Sequence, residues 1–130
     1  MVFRRKLLVL DKAHTLLTDI NKAIPGISRG EHQPLKRQLF KSALSVDSNV
    51  AEGRTKHSQR EFLRFLEIAL GSAGELQQQL KTAVDCSAMP SDEATSLNKR
   101  AEEVAKMIQG LMKKIRRDLG DEDDTNSNQQ

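Results

Sequence analysis

The stretch "SQREFLRFLEIALGSAGELQQQLKTAV", residues 58–84, decides the fold. Ser58 and Glu61 are spaced as a capping box, in which each end residue satisfies the other's backbone donor. Phe62, Leu66, Ala69, Ala73, Leu76, Leu80 and Ala83 then recur at spacings of three and four, the mark of one helical face. Phe65, Ile68, Ser72, Glu75 and Gln79 keep the same rhythm on a neighbouring face, which predicts a helix buried on more than one side. The centre of this helix is thin: Gly71, Ser72, Ala73, Gly74. Each Gly in a helix interior costs roughly 1 kcal/mol relative to Ala. Small side chains are expected where another backbone approaches closely, either inside one bundle or between subunits. The second stripe favours a contact between subunits.

The rest of the chain has the same grammar. Leu10, Ala13, Leu17, Ile20 and Ile24 predict an amphipathic helix over about residues 6–24, ended by Pro25-Gly26. Pro34 suits the first position of a second helix, whose stripe is Leu35, Leu39, Ser42, Val46, Asn49 and Gly53. Ser91 is placed to cap a further helix with the core stripe Leu97, Ala101, Val104, Ile108, Leu111 and Ile115, stopped by Gly120. No segment alternates with period two over a useful length. The expected fold is all-α: an antiparallel up-down-up-down four-helix bundle over residues 1–119. A disordered acidic tail over 120–130, with no apolar residue to bury after Gly120, is expected to follow.

Composition agrees with a single helical domain. The chain has 130 residues, 37% hydrophobic and 30% charged, with no Trp or Tyr, a balance that favours helix over sheet. Cys86 stands alone, so no intrachain disulfide can form and a reducing cytoplasm is the expected compartment. A small buried thiol accounts for it. The opening "MVFRRKLLVL" sets bases before an apolar run that lasts only from Leu7 to Leu10. That is too short for the apolar region of a signal peptide or for a membrane span.

The net charge of +3 is unevenly placed. "GDEDDTNSNQQ" holds four acids and no base, so residues 1–119 set 21 bases against 14 acids, or +7. Lys36, Arg37 and Lys41 lie along helix two, with Arg54 and Lys56 at its far end. Arg60 and Arg64 are one turn apart on helix three, and Lys106, Lys113 and Arg117 share a face of helix four. Such clusters are either solvated faces or phosphate sites. Several of them together, multiplied by assembly, favour phosphate. Four Phe and no other aromatic offer little for stacking on bases, so sequence-specific reading is not expected.

Catalytic groupings are not legible. Asp47, Glu52 and Glu75 have no metal-ligand spacing, and His14, His32 and His57 are scattered. The expectation is a non-enzyme without metal or cofactor. Asn49 with Glu52, and Ser72 with Glu75, are polar residues on or beside buried stripes. They are expected in hydrogen-bond networks that fix which surfaces meet, together with Gly71 and Gly74.

The run "SALSVDSNVAEGRTKHSQREFLRFLEIALGSAGELQQQL", residues 42–80, resembles the signature of a known family. These are four-helix-bundle proteins first named for open reading frames in intervening sequences of bacterial 23S ribosomal RNA genes. The accessory variability determinant of diversity-generating retroelements is a relative of the same architecture. The likeness is carried by Ser48-Asn49-Val50-Ala51-Glu52-Gly53, then Phe62, Arg64-Phe65-Leu66, Ala69, Gly71-Ser72, Glu75 and Leu76. Weaker similarity reaches "LLVLDKAHTLL" in helix one, so the pattern covers about residues 7–119. Leu10 stands where members often carry an aromatic residue, and Lys41 where they often carry Arg; the entry to helix two and the acidic tail also depart. The resemblance implies a cyclic homopentamer with a basic surface that binds nucleic acid, and no established reaction. The reading that follows is an oligomeric protein holding RNA or DNA largely without regard to sequence. The alternative is an accessory scaffold that binds a reverse transcriptase and its RNA in a diversity-generating retroelement.

Overall fold

The computed structural model describes residues 2–27 and 30–128, with side chains over 4–27 and 30–120. The described residues form four α-helices and no strand. They are α1 (Val2–Ala23), α2 (Gln33–Arg54), α3 (Gln59–Asp85) and α4 (Ser91–Asn128), with a single 3-10 turn at Ile24–Gly26.

Local chemistry sets most of the boundaries. Pro25 sits in the 3-10 turn that closes α1, where its missing N–H ends the helical ladder. At the start of α3, Ser58 is extended (φ −106, ψ 144) and its Oγ accepts the Glu61 N–H at 3.0 Å, so the expected cap forms. At the end of α3, Ala88 N–H reaches Ala83 O at 2.8 Å and Ser87 N–H reaches Val84 O at 3.0 Å. With Ser87 at φ 53, this is a Schellman motif in which Ser occupies the left-handed position usually given to Gly. Two expectations shift. Ala94 N–H bonds to Pro90 O at 3.0 Å, so Pro90 holds the cap position and Ser91 is the first helical residue. Gly120 does not stop α4, which continues to Asn128. The expectation of a disordered tail over 120–130 concerns side chains outside the described residues.

Contacts show how the helices neighbour one another. His14 of α1 meets Asp47 of α2 at 3.3 Å, while Lys6 and Leu7 share a hollow with Arg54 and Thr55. Rising numbers in α1 thus meet falling numbers in α2. Ser45 meets Ser72, and Gly53 lies against Phe62 and Phe65, so α2 and α3 are also opposed. Asp19 pairs with Arg100 at 2.7 Å and Lys12 with Glu103 at 3.4 Å, which sets α1 beside α4 in the same manner. α3 and α4 meet at Glu67 and Arg116, 3.4 Å apart.

One apolar core runs between the helices. Every residue of the main α3 stripe and every residue of the α4 stripe is buried. In α1 the buried set is wider than the stripe read from sequence: Val9, Leu16 and Ala23 join Ala13, Leu17 and Ile20, while Leu10 and Ile24 are only partly covered. Phe62 is the largest of the fully buried side chains, and burial of such a side chain contributes about 1.5–3 kcal/mol.

The second stripe of α3 is only partly buried within the chain. Ser72 is covered and Phe65 and Gln79 are half-covered, but Glu75 is exposed and Ile68 is 49% exposed. Gly71 and Gly74 lie on the open side, and a Cβ built on either would meet nothing within 4 Å. The close approach occurs at Gly53, where a Cβ would stand 2.7 Å from Phe65 Cβ and 2.8 Å from Phe62 Cδ1. Gly53 lets the last turn of α2 lie directly on the first turns of α3.

Candidate nucleic-acid interface

The running directions of the helices bring four remote stretches of sequence to one end of the bundle. α1 and α3 begin there, and α2 and α4 approach their C-terminal turns there. Arg4, Arg5 and Lys6 come from α1; Arg54 and Lys56 from the end of α2 and the turn after it; Arg60 and Arg64 from α3; Lys113, Lys114, Arg116 and Arg117 from α4. Among the residues with described side chains, Glu52, Glu61, Glu67 and Asp118 offset these eleven bases, leaving +7 at this pole before the tail acids Asp121, Glu122, Asp123 and Asp124 are counted. The other residues with described side chains carry nine bases and ten acids, or −1. The charge of the body is therefore concentrated at one end, where like charges raise the local potential for an anion.

The pole is partly ordered by its own acids. Lys56 Nζ donates to Glu52 Oε1 at 2.9 Å, Lys114 Nζ to Asp118 Oδ1 at 3.0 Å, and Arg116 pairs with Glu67. The hydrogen bond to Glu52, then that carboxylate's charge, raises the Lys56 ammonium above its ordinary range, so it is charged at neutral pH. Two ring faces are capped by cations. Lys6 Nζ lies 4.8 Å from the centroid of Phe62, and Lys56 Nζ lies 5.2 Å from that of Phe65, within cation–π range. Arg54, Arg64, Lys113 and Arg117 are exposed and form no ion pair among the described residues.

The structure divides the bases singled out by sequence. Arg54, Lys56, Arg60, Arg64, Lys113 and Arg117 gather at the pole. Lys36, Arg37 and Lys41 lie in the first half of α2, away from it, on a surface that also exposes Phe40 and Leu44. Lys106 is paired with Glu102 at 3.1 Å. Arg4, Arg5 and Lys6 were missed because bases at a chain start resemble the front of a targeting segment. Their proximity to Arg54 depends on the pairing of α1 with α2, which no local pattern reveals.

The polar set behaves differently from the expectation. Asn49 Nδ2 donates to Ser45 O at 2.8 Å and to Ser45 Oγ at 3.2 Å, and Ser45 Oγ lies 2.6 Å from Ser72 Oγ. A short network thus ties α2 to α3, with Ser45 as the link that sequence reading overlooked. Glu52 joins Lys56 instead, and Glu75 stays on the open surface. Asp47 is turned to His14, so Asp47, Glu52 and Glu75 do not converge. Among the described residues, no three His, Cys, Asp or Glu side chains are grouped to hold a metal. Cys86 is exposed at the end of α3 rather than buried, because the Schellman turn directs Ala88 and Met89 into the core in its place. No helix among the described residues is long and apolar enough to cross a membrane.

Comparison with known proteins agrees with this architecture. The chain is similar over 84% of its length to a crystal structure of a protein of unknown function from the S23 ribosomal protein family of Bacteroides thetaiotaomicron VPI-5482, covering 98% of that chain. The TM-score is 0.75 at 21% sequence identity, a likeness that speaks to the fold alone. No curated protein matches the chain. A family model described as 23S rRNA-intervening sequence protein matches residues 5–110, most of the helical body, and the chain belongs to that family.

Proposed function

We propose that this chain is a non-enzymatic, cytoplasmic nucleic-acid-binding protein, an up-down-up-down bundle that assembles as a cyclic homopentamer. It holds RNA or DNA through its basic surface, largely without regard to sequence. The observation that carries this reading is the gathering of eleven bases from four helix ends at one pole. Lys and Arg side chains that replace counterions along a phosphate backbone bind without reading bases. Gly71 and Gly74, with open space above both, support a packing face for another subunit.

Two measurements test the reading. Light scattering should give about 73 kDa, five copies of 14.6 kDa; a stable monomer at micromolar concentration rejects the assembly. Binding to unrelated sequences should be similar in strength and should weaken steeply with salt, by about 0.7–0.9 in the log–log slope for each phosphate contact. A flat salt dependence rejects the mechanism. The acids Asp121, Glu122, Asp123 and Asp124 follow closely on Arg116 and Arg117 in sequence, so a chain truncated after Leu119 should bind a few-fold more tightly at low salt. The gain should vanish at high salt.

A second reading, an accessory scaffold for a reverse transcriptase and its RNA, draws on the first half of α2. There Arg37 and Lys41 stand beside Phe40 and Leu44, 38% and 42% exposed, a mixture of base and large apolar side chain suited to a protein partner. Nuclease treatment during pull-down from the native host separates the two: a partner retained without nucleic acid supports the scaffold.

A further inference from the structure

We infer that the basic pole is a site for the phosphate backbone of duplex nucleic acid, which it prefers over single strands. The inference rests on the nucleic-acid reading above and adds the place and the form of the ligand. Its first ground is the charge map, +7 at the pole against −1 over the remaining described side chains. A polyanion gains most where that excess of bases is greatest.

The second ground is what happens to the rings. Proteins that hold single strands stack bases on open aromatic faces, and each stacked base contributes substantially to binding. Here Phe62 is 1% exposed with the Lys6 ammonium over its ring, and the Phe65 ring lies under Lys56. Each lysine covers the face that a base would need while keeping its charge at the surface. These two sites therefore offer charge to a phosphate and no platform to a base.

The third ground is spacing. Two neighbouring helices, each about 10–12 Å across with side chains, make the pole roughly 20 Å wide. A duplex carries one charge per ~1.7 Å of its axis, against one per ~3.4 Å for each strand, so about twelve phosphate charges cross that width in a duplex and about six in one strand. The pole carries eleven bases. With several of them already paired to acids, what favours the duplex is its doubled charge per unit length, which makes counterion release on binding larger.

The test uses the full chain, with fluorescence anisotropy on RNA and DNA duplexes of about 20 base pairs, enough to span the pole, and on their separate strands. The duplexes should bind roughly tenfold more tightly than the strands at about 100 mM salt and show the steeper salt slope. The RNA and DNA arms report which backbone geometry fits better. Two variants of equal net charge locate the site: Arg54→Glu with Arg117→Glu at the pole, and Lys22→Glu with Lys81→Glu at the opposite end. All four residues are exposed, and the milder pair Arg54→Gln with Arg117→Gln repeats the pole measurement if reversal impairs folding. The pole variants should lower duplex affinity at least tenfold and reduce the slope by about two, while the distant pair stays within a few-fold of the parent. Single strands binding as tightly as duplexes overturns the inference. Equal losses from the two pairs overturn its placement. If the unaltered protein binds none of the four ligands, the nucleic-acid reading itself fails.

Discussion

Gly53 and the pair Gly71 and Gly74 occupy similar stations, inside long helices of one bundle, and have opposite surroundings. At Gly53 the space of a methyl group is already filled by Phe62 and Phe65. Above Gly71 and Gly74 the space is empty. Both sites pay the same conformational penalty for lacking a side chain, but only the first recovers it through packing within its own chain. The neighbour at Gly53 is α3, whereas Gly71 and Gly74 have no neighbour among the described residues, and the assembly proposed above would supply one from another subunit.

The largest effect that sharpens this contrast is expected at Gly53. Gly53→Ala should destabilise the fold by about 1–3 kcal/mol, since a methyl group cannot be placed without moving Phe62 or Phe65; Gly53→Leu should do more. Urea unfolding midpoints measure both, and an increase would mean that the two rings move aside freely. Next comes Gly71→Leu, which should leave the helical signal of the chain intact while shifting the assembly to smaller species in light scattering. Gln78→Leu, on the same exposed side of α3, serves as the comparison, and equal behaviour of the two breaks the distinction between an open face and a packing face. Gly71→Ala is a finer probe: it should add about 1 kcal/mol of helix propensity to a free chain and less where a second subunit sits against the residue. The smallest change concerns a position where Gly is absent. Ser87→Gly should raise stability by up to about 1 kcal/mol, because the left-handed conformation at φ 53 strains any side chain. Thermal unfolding reads that gain.

Much of the fold was legible because helical packing leaves a periodic trace. The seven-residue stripe from Phe62 to Ala83 and the six-residue stripe from Leu97 to Ile115 are buried throughout, and Ser58 caps α3 as its spacing implies. The trace weakens where several faces meet. In α1 the buried surface includes Leu16 as well as Leu17, so a single line of residues describes it poorly. Periodicity also cannot tell a covered face from an open one, so Ile68 and Glu75 carry the rhythm of a buried stripe and yet are exposed within the chain. Caps are local and often legible, but Pro90 displaced Ser91 because its carbonyl accepts the first helical bond, a matter of geometry rather than residue type. The pole was the least legible feature. Arg5, Arg54, Arg64 and Arg117 are dispersed along the sequence, and only the opposed directions of the helices gather them.

Those opposed directions have one more consequence. α1 and α3 start at the pole while α2 and α4 approach their ends there, so backbone macrodipoles oppose one another and largely cancel. What remains, over the described side chains, is a dipole along the bundle, positive at one end and near neutral at the other. A polyanion approaching to within about 8 Å, the Debye length at physiological salt, exerts a torque as well as a pull. The protein turns its charged end forward before the surfaces touch. Steering of this kind raises association rates by about 10- to 1,000-fold, so for the nucleic acid proposed above the frequency of productive encounters would exceed the pole's share of the molecular surface. A charge removed far out on the pole should appear first in the on-rate, and one held within the Glu52–Lys56 contact should appear more in the lifetime of the complex.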